Sequence, residues 1–261
     1  MNWLLLLLPA LLAAQSVTRD VIEARLRLAG GTNAERAAKL TRLFRDAGCG
    51  VTEQRVMENA PPNLICVLPG KSKDVILVGA HFDAKGPGVA DNWSGAALLP
   101  SLYEDLKKSA PVHTFLFVGF TEEEKGLIGS RFYVSRMTAE DRRRAKAMVN
   151  IDTLGLANPN VWVSKADRDL TYLAGYVASE MKIPLSVLEI GNLGTTDSES
   201  FEGTGIPRIA FSSLDKTAMK KLHSKKDNID AIRLDDYYQT FQLLARFLQR
   251  LDQLENVSAF R

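Results

Sequence analysis

The sequence predicts an α/β fold, a sheet covered by helices on both faces. Three observations predict it. Continuous apolar runs such as Asp74 to Ala80 (DVILVGA) and Phe115 to Val118 (FLFV) lack the alternation of a half-exposed strand, so they read as strands buried on both sides. Other segments carry apolar residues at helical spacing; in Leu234 to Leu254, Tyr238, Phe241, Leu244, Ala245, Leu248 and Leu251 share one face. The two kinds of segment alternate along the chain, the arrangement that builds a sheet between helical layers.

In order, Val17 to Ala47 reads as two helices broken at Gly30-Gly31. Val51 to Val56 and Asn63 to Leu68 read as paired strands around an Ala60-Pro61-Pro62 loop. After the Asp74 to Ala80 strand comes a Gly/Pro-rich loop, then a helix from about Ser94 to Lys108. Pro100 should kink that helix or delay its start, because it lacks an amide donor and crowds the preceding turn. His113 to Phe120 is a strand, Gly126 to Arg136 and Thr138 to Lys146 are helical, and Ala147 to Ile151 is again a strand. Val161 to Ser164 is a short strand, Asp167 to Met181 a helix and Pro184 to Ile190 extended. Thr195 to Phe201 opens a short helix with Thr or Asp as N-cap, and Pro207 to Phe211 is the last clear strand.

The chain has 261 residues, 46% hydrophobic and 25% charged, which suits one large domain with a sizeable core. With 33 basic against 31 acidic residues and no long basic stripe, nucleic acid is excluded as the expected partner. The most basic run, Arg142 to Lys146, is expected on an exposed helical surface. Within residues 1–15, Trp3 to Leu12 is an apolar run too short to span a bilayer, and Ala13-Ala14 then offers a small-residue cleavage site. Residues 1–15 are expected to be a secretory signal peptide, although no Lys or Arg precedes the run. The mature part, 16–261, is then a single secreted or periplasmic domain with no stable membrane insertion; an uncleaved anchor is the alternative. Export would permit a Cys49–Cys66 disulfide. Asn92-Trp93-Ser94 and Asn256-Val257-Ser258 match a glycosylation sequon; the first falls inside the candidate site and reads as coincidence.

The chemistry is concentrated where strands end. His81 and Asp83, the triplet Glu122, Glu123 and Glu124, and Asp152 each follow the carboxyl end of an apolar run, the edge where sites form in open α/β sheets. Adjacent buried acids repel one another, and a cation removes that cost. Of three histidines, His81 and His223 lie in loops, whereas His113 has no acidic neighbour in sequence and reads as structural. Each residue alone has an ordinary reading as a turn acid, a strand-end histidine or a helix cap. Their joint occurrence at several strand ends points instead to zinc or a similar first-row ion.

The strings GAHFDA, ADNWSGAALL, FVGFTEEEKGLIGS, VNIDTLG, TTDSESF and KLHSKKDN, across roughly residues 75 to 228, resemble the co-catalytic zinc aminopeptidases related to bacterial leucyl aminopeptidase, a family that also holds glutamate carboxypeptidases and glutaminyl cyclases. The resemblance implies a three-layer α/β/α fold with a central mixed, mostly parallel sheet, peptide substrates and two divalent metal ions, zinc by the family's habit. By position it implies that Asp91 bridges the ions, with His81 and Asp152 on one and Glu124 and His223 on the other. Glu123 matches the general base and Asp83 the acid that orients His81. Glu122 becomes an extra acid. Ser198 stands where the family often has His, leaving Asp197 as a supporting or substrate-facing group. Trp93 is bulky where a small residue is common and is expected to pack beneath the site. The alternatives are a single-metal glutaminyl cyclase, a carboxypeptidase lacking any evident basic recognition site, and a non-catalytic binding module. Oligomeric state is not legible in the sequence.

Overall fold

The computed structural model describes residues 17–189 and 194–255. The segment read as a signal peptide, Ile190 and the Asn256 sequon lie outside the described residues. The first helical stretch divides as expected, into α1 (Arg19–Leu26) and α2 (Asn33–Asp46). Thr32 and Glu35 start α2 with a capping box, each side chain serving the other's backbone amide. Strands β1 (Val51–Gln54) and β2 (Asn63–Leu68) pair antiparallel, Val51 opposite Cys66. They lead to β3 (Val75–His81), α3 (Ser94–Lys107), β4 (Thr114–Phe120), α4 (Ile128–Arg136), α5 (Ala139–Arg144) and β5 (Ala145–Ile151). After β6 (Asn160–Trp162) come α6 (Arg168–Met181), β7 (Ser186–Leu188), β8 (Arg208–Ser212) and α7 (Leu234–Asp252).

The eight strands form one mixed sheet in the order β1-β2-β4-β3-β5-β8-β6-β7. Its centre is parallel: β3 pairs with β4 and β5, and β5 with β8, all in one direction. The antiparallel pairs flank that centre. The apolar runs nevertheless keep a period of two. Ile76, Val78, Phe115, Phe117, Val149 and Ile151 enter the larger core beneath α1, α2, α3, α6 and α7. Leu77, Val118, Phe120 and Met148 enter a smaller core with Tyr133 of α4 and Phe201. This is the three-layer α/β/α arrangement, and it explains why these strands show no polar face.

Pro100 departs from expectation. It lies buried inside α3, which neither starts late nor breaks there. The irregular backbone falls upstream, at Asp91 and Asn92, whose dihedrals are not helical and whose connecting peptide is cis. Packing on both sides of α3 offsets the one amide donor that Pro100 withholds from the preceding turn. Trp93 packs as expected: it is fully buried, donates its indole N–H to the Arg25 carbonyl at 3.0 Å and lies under the Arg36 guanidinium. The Asn92 sequon is buried as well. The basic run Arg142 to Arg144 sits on α5, which buries no residue. His113 is structural, its ring and amide both bonded to Asp252.

Cys49 and Cys66 form a disulfide across a sequence separation of 17. It staples the turn after α2 to β2, next to the edge of the sheet. Closing a loop of that length limits the unfolded chain, so the double Cys→Ala variant is expected to lose ~3 kcal/mol of stability. Urea unfolding measures this; an unchanged midpoint would mean that the bridge only decorates the edge. Among the described residues no helix is long and apolar enough to cross a membrane.

Candidate metal centre

The parallel strands deliver the polar residues to one edge. His81 is the last residue of β3, Glu122 to Glu124 follow β4 and Asp152 follows β5. The register pairs His81 with Phe120 and Gly79 with Asn150, so these three strand ends come level. Asp91 arrives on the irregular turn ahead of α3, and His223 on the loop after β8.

Two donor clusters result. His81, Asp91 and Asp152 offer ligand atoms within 4.8 Å of one another, as do Asp91, Glu124 and His223. Asp91 belongs to both. Its Oδ1 lies 3.3 Å from His81 Nε2, and its Oδ2 lies 3.1 Å from His223 Nε2. Asp152 Oδ1 is 3.5 Å from His81 Nε2, and Glu124 Oε2 is 3.1 Å from His223 Nε2. Glu123 stands apart from both clusters but close by, with Oε2 3.8 Å from His81 Nε2. These groups line a cleft of about 350 Å³, whose other walls include Trp162, Leu214, Met219 and Leu222.

The supporting contacts explain how the cluster is held. Asp83 accepts the Glu123 amide at 3.0 Å and the Glu124 amide at 3.1 Å, and its Oδ1 lies 3.5 Å from His81 Nδ1. One carboxylate thus fixes both the β3 and β4 ends. The Asp83 carbonyl lies 3.2 Å from His81 Nδ1. A carbonyl only accepts, so Nδ1 carries a proton, which leaves Nε2 as the nitrogen able to ligate once it gives up its own. Three further residues do comparable work without having been singled out in the sequence. Asp227 accepts the Ala90 and Asp91 amides at 2.6 and 3.1 Å, anchoring the turn that carries Asp91. Asn92 donates to the Ile151 carbonyl and accepts the Thr153 and Gly95 amides, tying that turn to the end of β5. A Cβ on Gly95 would stand 2.5 Å from both Asn92 Oδ1 and the Ile151 carbonyl, so only glycine fits. Thr196 donates its hydroxyl to Asp152 Oδ2 at 2.9 Å.

Glu122 takes no part in either cluster: it is buried and pairs with Lys125. Its φ of 55° and those of Thr153 (58°) and His223 (55°) are left-handed, an unusual concentration of strained backbone beside one cleft. Asp197 is not an N-cap; it opens a short 3₁₀ turn, fully buried, and neither carboxylate oxygen has a hydrogen-bond partner among the described residues.

The electrostatics state what this arrangement lacks. Burial, reinforced by Asp197, Asp152 and Asp91, pushes the Glu123 carboxyl up to about 9 despite the opposing His81. Burial raises Asp197 to about 7. Burial also raises Glu124, with Asp91 adding to it. For His81 burial works against the charged ring, but Glu123 and Asp152 outweigh it and hold the imidazole well above its ordinary value. The hydrogen bond to Asp91 raises His223. Glu123, Glu124 and Asp197 are being forced to keep protons and the imidazoles to gain them, while Asp91 and Asp83, against the opposing effect of burial, are held below the usual carboxylate range by the imidazoles beside them; this is the signature of a buried anionic cluster short of positive charge. Imidazole nitrogens and carboxylate oxygens in two groups of three suit zinc or a similar first-row ion.

The chain matches a family model described as peptidase family M28 over residues 63–248. An aminopeptidase of Pseudomonas aeruginosa is 38% identical over 91 residues, which are 34% of this chain and 17% of that protein. The chain therefore spans only a small part of that relative's length. Among solved structures, the LapA aminopeptidase of Legionella pneumophila superposes with a TM-score of 0.81 at 21% identity, covering 92% of this chain and 73% of that one. The glutaminyl cyclase of Porphyromonas gingivalis superposes with a TM-score of 0.73 at 19% identity, covering 91% and 100%. Both likenesses are likenesses of fold.

Proposed function

The chain belongs to peptidase family M28, and on that footing we propose that it is a zinc-dependent aminopeptidase that removes N-terminal residues from peptides. The observation that carries the reading is the pair of donor clusters sharing Asp91, with Glu123 beside them and outside both. His81 and Asp152 would hold one divalent ion, Glu124 and His223 the other, and Asp91 both. Ions bound there supply the polarisation of a peptide carbonyl and the acidification of a water. Glu123 takes the proton of the attacking water and returns it to the departing amine. A carboxyl that burial holds near 9 in the stripped cluster is brought into its basic form by the positive charge its neighbours bind. Asp83 keeps Nε2 of His81 free to ligate by holding the proton on Nδ1.

Residues 16–261 are proposed to form the metallopeptidase domain, exported behind the 1–15 segment. N-terminal sequencing of material released from expressing cells tests this; a retained leader would favour the anchor.

The test of activity is hydrolysis of aminoacyl-p-nitroanilides with a free or a blocked amine, with chelator and zinc add-back. Chelator-sensitive release from free-amine substrates alone is the expected result. Silence toward all of them, with cyclisation of an N-terminal glutaminyl peptide, would move the assignment to a glutaminyl cyclase.

A further inference from the structure

The loop after β8 has two chemically opposite sides. Met219, Leu222 and His223 face the cleft and line it. Interleaved with them are Lys216, Lys220, Lys221, Lys225 and Lys226, of which Lys221 is partly exposed and the others exposed. Among the described residues none of these five has an acidic partner within salt-bridge distance, whereas Lys85, Lys125, Lys146 and Lys165 all do. The nearest acids in sequence are both occupied, Asp215 in accepting the Thr217 and Ala218 amides and Asp227 in accepting those of Ala90 and Asp91. Lys85 adds an ammonium on the cleft wall, half-exposed and 3.2 Å from Glu124 Oε2. In a chain whose net charge is only +2, this is a local concentration of unpaired positive charge.

A lysine run is ordinarily solvated surface. This one differs in its position: the same short loop builds the wall of the cleft. The floor of that cleft carries the metal-binding groups, and the loop that supplies part of its wall carries the five lysines, so positive charge is concentrated beside the opening. A peptide entering with its protonated amine toward the floor leaves its following residues at the rim. We propose that the 216–226 loop is a docking surface for acidic peptides, selecting substrates that carry aspartate or glutamate after the N-terminal residue. This inference rests on the aminopeptidase reading for the direction of entry. Single-stranded nucleic acid is disfavoured because Ser213 to Asn228 contains no Phe, Tyr or Trp on which a base could stack, and its one imidazole, His223, belongs to the donor clusters.

The experiment compares kcat/KM for Leu-Ala-Asp-Asp and Leu-Ala-Lys-Lys at low ionic strength, with leucyl-p-nitroanilide, which carries no charge beyond its amine, as the reference. Charge focusing of this kind is worth roughly 10- to 1,000-fold in association, so an acidic preference of at least about tenfold is expected. It should shrink toward parity in molar salt, where the screening length falls to ~3 Å. Combined Lys220→Glu, Lys221→Glu, Lys225→Glu and Lys226→Glu changes should invert the preference and leave the p-nitroanilide reference within about twofold. The salt titration on the unaltered protein decides the matter if that variant does not fold. Fluorescence anisotropy with labelled copies of the two peptides repeats the comparison without turnover. Loss of the reference activity together with retained acidic binding would therefore indict the aminopeptidase reading and support the docking surface. Equal rates and equal binding for the two peptides at low salt would overturn it, as would a preference unmoved by charge reversal.

Discussion

Changing Glu123 to glutamine is expected to lower kcat by ~10²- to 10⁴-fold, the usual contribution of a positioned general base, while the protein keeps its full complement of metal. The two halves of that expectation come from different observations. Glu123 contributes no atom to either donor cluster, so the amide leaves the ligand set intact. Its Oε2 nevertheless lies 3.8 Å from His81 Nε2, within the same cleft, and burial gives it a proton affinity unlike that of a surface glutamate. Glutamine preserves shape and removes the ability to accept and return a proton. KM should change little, because the substitution removes an interaction made in the transition state. Zinc content by elemental analysis and steady-state kinetics on the same preparation check both halves. Substantial turnover in this variant would remove Glu123 from the role.

Asp91→Ala is expected to have the second large effect, loss of both ions and with them all activity. Asp91 is the one residue common to both clusters, and its two oxygens point to different imidazoles, 3.3 and 3.1 Å away. Removing any other ligand damages one cluster; removing Asp91 damages two. The turn itself should survive, because Asp227 holds it through the backbone amides of Ala90 and Asp91, which alanine retains. Retention of two zinc ions per chain after dialysis would show that the clusters do not depend on a shared carboxylate.

The parts of this site that were legible in the sequence are those announced by a local pattern. An apolar run that stops at His81, at Glu122 to Glu124 or at Asp152 marks both a buried strand and the carboxyl edge it reaches, so the edge-forming residues could be named from that pattern. The order of the central strands could not, since β3 lies between β4 and β5 only through crossovers that leave no trace in the spacing. Asp227, Asn92 and Thr196 were illegible for a related reason. They act through hydrogen bonds to partners as far as 137 residues away, and a long-range contact to a backbone amide produces no periodicity. Asp227 lies in KLHSKKDN and Thr196 in TTDSESF, strings read for His223 and Asp197 instead. Pro100 failed as a predictor because helix propensity is a local preference, and burial of α3 between the sheet and its neighbours overrides it.

The central claim is a two-ion centre bridged by Asp91, and calorimetric titration of zinc into the chelator-stripped protein tests it most directly. In the stripped cluster His81, His223 and Glu123 bind protons more tightly than usual. The imidazoles must shed theirs to ligate, and Glu123 loses its own to the incoming charge. Affinity should therefore rise with pH through and above the ordinary imidazole range, and fall as protons compete below it. Repeating the titration in buffers of different ionisation enthalpy should reveal protons released on binding. The account predicts two zinc equivalents per chain at neutral pH with net proton release. A single equivalent, or two bound with no proton release and no dependence on pH, would contradict it.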